Sequence, residues 1–194
     1  MADPTVFDPV SASPLAGLAT PARGIQLAER ERLGKINLRG DAGNGEFLRA
    51  VRRILGTGLP LEANTTAAGD GVTVFWLGPD EWLIHCAQDQ QTELMRRLRT
   101  GCGGMHVALT DVSDYYVVMR LSGGKATEVL AKGAPLDVHP GVFTAGRCAQ
   151  TRYGHASILL HHVDATPTYD VQVRWSFAEY LWIYFVDGAK EYVT

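Results

Sequence analysis

The sequence predicts an α+β fold of two interlocked strand-helix-hairpin-helix halves with mainly antiparallel sheets, and three observations carry that expectation. Short segments with alternating apolar and polar residues are interleaved with segments of helical periodicity. Pairs of strand patterns are joined by tight turns, which makes hairpins and hence antiparallel pairing. The order strand, helix, hairpin, helix occurs twice along the chain, without any repeat of the residues themselves. Neither half seals its own sheet, so a single domain over 34–194 is expected, preceded by an extended proline-rich arm over 1–33.

The elements follow in order. The arm carries Pro4, Pro9, Pro14 and Pro21 among small residues, with no periodicity, so it is expected to form no helix or sheet of its own. Its apolar residues Phe7, Val10, Leu15, Leu18, Ile25 and Leu27 call for a surface to lie on, either the chain's own body or a partner. KINLR (Lys35 to Arg39) reads as a strand. A helix follows from about Asn44 to Leu55, with Phe47, Val51, Ile54 and Leu55 on one face and Gly56 at its end. Val72 to Leu77 and Trp82 to Cys86 form a hairpin about Gly78-Pro79-Asp80. A second helix runs from about Asp89 to Arg99 and stops at Gly101. DVSDYYVVMRLSG reads as one strand ending at Gly123, and KATEVLAKG as a helix closed by Gly133. Strands over Ala156 to Val163 and Tyr169 to Arg174 flank the turn ATPT. For the last helix, Ser176 and Glu179 predict a capping box, Trp175 and Tyr180 a hydrophobic staple, and Phe177, Leu181, Tyr184 and Phe185 the buried face.

Composition narrows the function. With 194 residues, 46% hydrophobic and 20% charged, the chain is ordinary globular material. It can bury roughly 70% of its unfolded surface, so it needs neither disulfide nor structural metal. Cys86, Cys102 and Cys148 are an odd number at wide spacings, which predicts free thiols and a cytoplasmic setting. No signal peptide and no membrane span is expected. A net charge of −3 gives no general attraction for nucleic acid or an anionic membrane. The clusters Arg49/Arg52/Arg53 and Arg96/Arg97/Arg99 fall on helical patterns, as solvated faces or as a docking face for an acidic partner.

The motifs assign no catalytic, cofactor-binding or metal residue. Neither GxGxxG nor GxxxxGK[ST] is present, and Ser122-Gly123-Gly124-Lys125 is a phosphate-loop fragment better read as a helix start. His161 and His162 are neighbours in a strand and so point to opposite faces. His155 and His161, six residues apart, stand some ~20 Å from each other at ~3.3 Å per residue. Cys86 faces away from His85 by the same parity, and buried inert thiols are the expectation for all three cysteines. Asp111 and Asp114 are the best carboxylate pair, with a turn-capping role as the simpler account.

LGPDEWLIHC (Leu77 to Cys86), the segment Thr110 to Phe143 and the end YDVQVRWSFAEYLWIYFVDGAKEY (Tyr169 to Tyr192) together resemble the gamma-subunit family of heterotetrameric sarcosine oxidase. The resemblance spans nearly the whole chain, from the arm through LGTGLP to the terminal helix. That family is similar to the N-terminal, folate-binding part of the glycine cleavage T-protein, an aminomethyltransferase, which implies the same α+β fold. Asp111-Val112-Ser113, followed by a strand and Gly123, matches the T-protein's D-x-S entry, and Leu130 to Asp137 matches the stretch after it. The departure comes at Gly154-His155-Ala156-Ser157-Ile158, where the T-protein family places a pair of acids and this chain has none. The resemblance therefore implies a non-catalytic subunit without a redox cofactor. It implies alpha, beta and delta partner subunits that hold FAD, FMN, NAD, zinc and tetrahydrofolate. The alternatives are the equivalent subunit of a related N-methyl amino acid oxidase or dehydrogenase complex, a stand-alone folate-binding aminomethyltransferase-like protein or repair factor, or a free-standing interaction module with no such complex.

Overall fold

Side-chain parity along each strand decides which sheet face meets a helix and which meets the other sheet. The structure, a computed structural model, describes residues 13–18, 20 and 24–192. Within them lie β1 (Gln26–Glu29), β2 (Leu33–Arg39), α1 (Gly45–Leu55), β3 (Thr66–Gly69), β4 (Val72–Gly78), β5 (Glu81–Ala87), α2 (Gln91–Gly101) and β6 (Ala108–Asp111). The second half follows with β7 (Tyr116–Ser122), α3 (Ala126–Ala131), β8 (Cys148–Tyr153), β9 (Ala156–Asp164), β10 (Thr168–Arg174) and α4 (Ala178–Ala189). They build two five-stranded sheets, ordered β3-β4-β5-β2-β6 and β1-β7-β10-β9-β8, with antiparallel pairing throughout.

Read as β8-β9-β10-β7-β1, the second sheet repeats the strand order of the first, with β1 standing where β6 stands. β1 precedes β2 in the chain but joins the other half's sheet, and β6 precedes β7 but stays with the first. Each half lends its opening strand to the other. This exchange is the physical form of the interlock expected from element order.

Ile36, Leu38, Val74, Trp82 and Ile84 pack under Phe47, Val51, Leu55, Leu94 and Leu98 of α1 and α2. Met119, Leu121, Leu160, Tyr169 and Val171 pack under Val129, Leu130, Leu181 and Phe185 of α3 and α4. The opposite sheet faces meet through Phe75, Leu83, Cys148 and Leu159. The layers are therefore helices, sheet, sheet, helices.

Local signals set the well-predicted elements. Asn44 caps α1 by accepting from Glu46 N and Phe47 N, at 2.9 and 3.2 Å, and Gly56 ends it in the left-handed conformation. β4 and β5 form the expected hairpin, and β9 and β10 the second.

Five expectations are corrected. The arm boundary at residue 33 does not coincide with a break in the fold, because β2 begins at Leu33 and residues 26–29 form β1 on the edge of β7. Leu15, Ile25 and Leu27 are buried in the chain's own core, and Leu18 packs against it; Phe7 and Val10 lie outside the described residues. DVSDYYVVMRLSG is not one strand. A 3-10 turn at Ser113–Tyr115 separates β6 from β7 and carries the chain from one sheet to the other. Ser176 does not cap α4, since it sits inside a 3-10 turn (Trp175–Phe177), and Phe177 holds the cap position with no side-chain bond. Trp175, partly buried against the core and beneath the Arg32 guanidinium at 5.7 Å, anchors that turn instead of serving as a staple. The buried face of α4 is Ala178, Leu181, Trp182, Phe185 and Ala189, with Phe177 and Tyr184 exposed. α2 begins at Gln91, after a 3-10 turn at Gln88–Gln90.

Candidate functional site: the space between the sheets

Strand residues of one parity fill the helix-facing cores, and those of the other parity are unusually polar: Lys35, Asn37, His85, Arg120, His161, Asp170 and Gln172. Apolar contact between the sheets is confined to the small cluster around Phe75 and Leu83, and open space remains on both sides of it. The larger cleft, about 860 Å³, lies beside the β1–β2 crossover, and a smaller one of about 470 Å³ lies near Asn37 and Tyr116. Volumes of this size suit small molecules.

The wall of the larger cleft is a cross-strand row. Arg120 on β7 stands opposite Asp170 on β10, which stands opposite His161 on β9. Asp170 accepts from Arg120 Nε at 2.7 Å and Nη2 at 2.9 Å, and from Arg30 Nη1 at 2.9 Å. Two guanidiniums thus share one carboxylate that is only 13% exposed. From the other sheet, His85 Nε2 donates to Gln172 Oε1 at 2.6 Å. These two residues hold matching places in the two halves, opposite Lys35 of β2 and Val118 of β7, so their bond marks the pseudo-two-fold relation between the sheets. Burial drives the His85 pKa down to about 3 and that of His161 to about 4, which keeps both rings neutral. Lys35 is buried beside them, its Nζ donating to the carbonyls of Leu33 and Ser113 at 3.1 Å, with burial lowering its pKa to about 8. In the smaller cleft Asn37 Nδ2 donates to Glu81 Oε1 at 2.8 Å.

The residues singled out from sequence fall as follows. His161 enters the cleft while His162 turns into the helix-facing core, its Nδ1 2.6 Å from Phe143 O and its ring stacked on Tyr169. His155 is exposed at the β8–β9 turn. Cys86 lies in the core behind His85. Burial raises the Cys86 and Cys148 thiols to about 11 and pushes Cys102 up as well. Asp111 Oδ1 accepts from Ser113 N and Oγ at 2.9 and 2.6 Å, the turn-capping role; Asp114 is exposed and makes no pair with it. Lys125 pairs with Glu128 at 2.7 Å at the start of α3. The Arg clusters are exposed, though Arg97 Nη2 donates to Ile54 O at 2.9 Å and so caps the C-terminus of α1. Gly154, at the turn between β8 and β9, packs against Tyr180 and Tyr184. Among the described residues no three His, Cys, Asp or Glu side chains are grouped to hold a metal ion.

Sequence reading missed Arg30, Arg120, Asp170 and Gln172. The available signal was the polar parity of β10, where Asp170 and Gln172 alternate with Tyr169, Val171 and Val173 in a strand central to its sheet.

A family model described as sarcosine oxidase, gamma subunit family (SoxG), matches residues 39–191. The sarcosine oxidase subunit gamma of Corynebacterium sp. (strain P-1) is 30% identical over 171 residues, 88% of this chain and 82% of the relative. That of an Arthrobacter sp. is 31% identical over 170 residues, 87% of this chain and 80% of the relative. Among solved structures, a chain of heterotetrameric sarcosine oxidase from Corynebacterium sp. U-96, in complex with pyrrole 2-carboxylate, superposes with a TM-score of 0.85 at 28% identity, covering 94% and 96% of the two chains. The glycine cleavage aminomethyltransferase T of Bartonella henselae shares the fold, with a TM-score of 0.63 at 13% identity over 86% of this chain and 46% of that one.

Proposed function

The chain belongs to the sarcosine oxidase gamma subunit family, and from that premise we propose that it is a non-catalytic assembly subunit of a cytoplasmic heterotetrameric sarcosine oxidase. The complex oxidatively demethylates sarcosine to glycine with oxygen as acceptor, releasing hydrogen peroxide and formaldehyde or forming methylenetetrahydrofolate. Alpha, beta and delta subunits carry FAD, FMN, NAD, zinc and tetrahydrofolate, and this chain carries none of them. The observation that carries the reading is the near full-length likeness to a chain of such a heterotetramer.

The site chemistry supports the non-catalytic part. Thiols held above the physiological range and imidazoles held below it are poor nucleophiles and poor acid-base groups at neutral pH. Assembly finds support on α4 and the turn before it, where Phe177, Tyr180, Ile183 and Tyr184 are between 37% and 54% exposed and Tyr180 stacks on Tyr184 at 5.9 Å. Such an apolar face fits a protein interface better than water. No helix among the described residues is long and apolar enough to cross a membrane.

Co-expression with the partner subunits, followed by size-exclusion chromatography, tests the reading. The expected result is a four-subunit complex that makes peroxide from sarcosine, an isolated gamma chain that is colourless and inactive, and an Ile183→Asp variant that stays monomeric and folded but enters the complex poorly. A flavin held by the lone chain, or peroxide made by it, overturns the proposal.

A further inference from the structure

We propose that the larger inter-sheet cleft is a binding site for a small oxyanion, a carboxylate or phosphate group, held by the guanidiniums of Arg30 and Arg120 with the imidazole of His161 beside them.

Three observations converge. At the inner wall two guanidiniums share one carboxylate, while over the whole lining Arg30, Arg32 and Arg120 are matched by Asp170, Glu31 and Asp89. Of their N–H groups, Arg120 spends Nε and one Nη2 hydrogen on Asp170 and Arg30 spends one on Nη1, so the remaining donors have no acceptor among the described residues. Asp170 holds both forks in place, and each Arg side chain is about one-third exposed, at 33% and 35%, where it lines the cleft. The arrangement presents pre-oriented planar donors of the kind that bind carboxylate and phosphate.

His161 supplies the second element. Its ring is set edge-on to Phe75, 5.1 Å between centroids, and neither ring nitrogen has a hydrogen-bond partner among the described residues. The charged and titratable groups facing it are Asp170 and Arg120 from its own sheet, Arg30 from the crossover, His162 behind it and His85 from the opposite sheet. Burial keeps the ring neutral, with a pKa of about 4, and an oxyanion seated against it offsets that desolvation. Binding therefore takes up a proton and tightens as pH falls. The third element is the apolar side of the cleft, Phe75 and Val163, which accommodates a flat substituent on the anion. Glu31 and Asp89 are exposed at the rim and oppose a second negative charge.

The experiment is calorimetric titration of the full chain with acetate, benzoate and inorganic phosphate, each at pH 8 and pH 5.5 and in two buffers of different ionisation enthalpy. Saturable one-to-one binding is expected, tighter at pH 5.5, with buffer-dependent heats that report proton uptake. Saturation by acetate and benzoate identifies a carboxylate site, and saturation by phosphate alone a phosphate site. Arg30→Gln, which leaves the bidentate Arg120–Asp170 pair intact, is expected to weaken binding at least tenfold. His161→Gln leaves the Asp170 pairing untouched and keeps the proposal testable should Arg30→Gln fold badly; it is expected to remove the buffer-dependent heat. Absence of saturation with all three probes, or unchanged affinity and unchanged proton uptake in the variants, overturns the proposal. Neither variant touches α4, so entry into the oxidase complex reports separately on the assembly reading.

Discussion

Gly123→Ala perturbs the junction that stitches the two halves together. Gly123 has φ +112°, and a Cβ there meets Gly24 O at 2.1 Å, Gly24 C at 3.0 Å and Ile25 Cα at 3.1 Å. All three atoms are backbone, so no side-chain rotation relieves the clash. An alanine forced into such a conformation stores about 1–3 kcal/mol. The alternative is for the start of β1 to peel from β7, uncovering Ile25 and Leu27, which are 1% and 3% exposed. Each such side chain contributes about 1.5–3 kcal/mol when buried. Because the clash is with backbone, the strand has to give way, and peeling both side chains removes roughly 3–6 kcal/mol, a large part of the ~5–15 kcal/mol that holds a domain folded. For a chain of this length that lowers the melting temperature by about 10 °C or more. Gly124→Ala is the internal control, because a Cβ at Gly124 has nothing within 4 Å. It is expected to leave the melting temperature within about 3 °C of the parent or to raise it slightly by stiffening the unfolded chain. Differential scanning calorimetry with urea unfolding measures both variants. Equal stability of the two variants would show that the close approach of Gly123 to Gly24 and Ile25 does not hold β1 against β7.

Three further outcomes follow from the buried groups and the caps. Burial lowers the His85 pKa from 6.5 to about 3 on folding, so its neutral form contributes full stability above pH 6.5, lost as pH falls toward 3; the unfolding free energy from urea titrations should fall between pH 6 and 4.5 with a slope that His85→Gln reduces by about 1.4 kcal/mol per pH unit. Cys86, Cys102 and Cys148 are all buried with raised pKa values, so a thiol-disulfide reagent at pH 8 should find no rapidly reacting thiol in the folded chain and three after denaturation. Asn44→Ala removes the side chain that caps α1 and should destabilise by about 1 kcal/mol in urea unfolding, with no change in the slope of the transition.

Local chemistry was legible in the sequence. Asn44 and Gly56 bracket α1 because a cap and a left-handed terminator act within a few residues, and Pro79-Asp80 turns the β4–β5 hairpin for the same reason. Period-two alternation correctly sent His161 and His162, and His85 and Cys86, to opposite faces. The doubled element order pointed to interlocked halves, and the residues matching the gamma-subunit family pointed to the assembly. Tertiary structure decided what depends on partners distant in sequence. A strand as short as Gln26–Glu29 has too little pattern to be seen, and it exists because β7 offers it a free edge and the core covers Ile25 and Leu27. Ser176 and Glu179 satisfy a capping pattern, yet Trp175 packing under Arg32 draws the chain into a 3-10 turn first. The cleft was the least legible feature, because Arg30, Arg120, Asp170 and His161 come from four separate segments, and cross-strand register with the exchange of β1 and β6 is what sets them side by side.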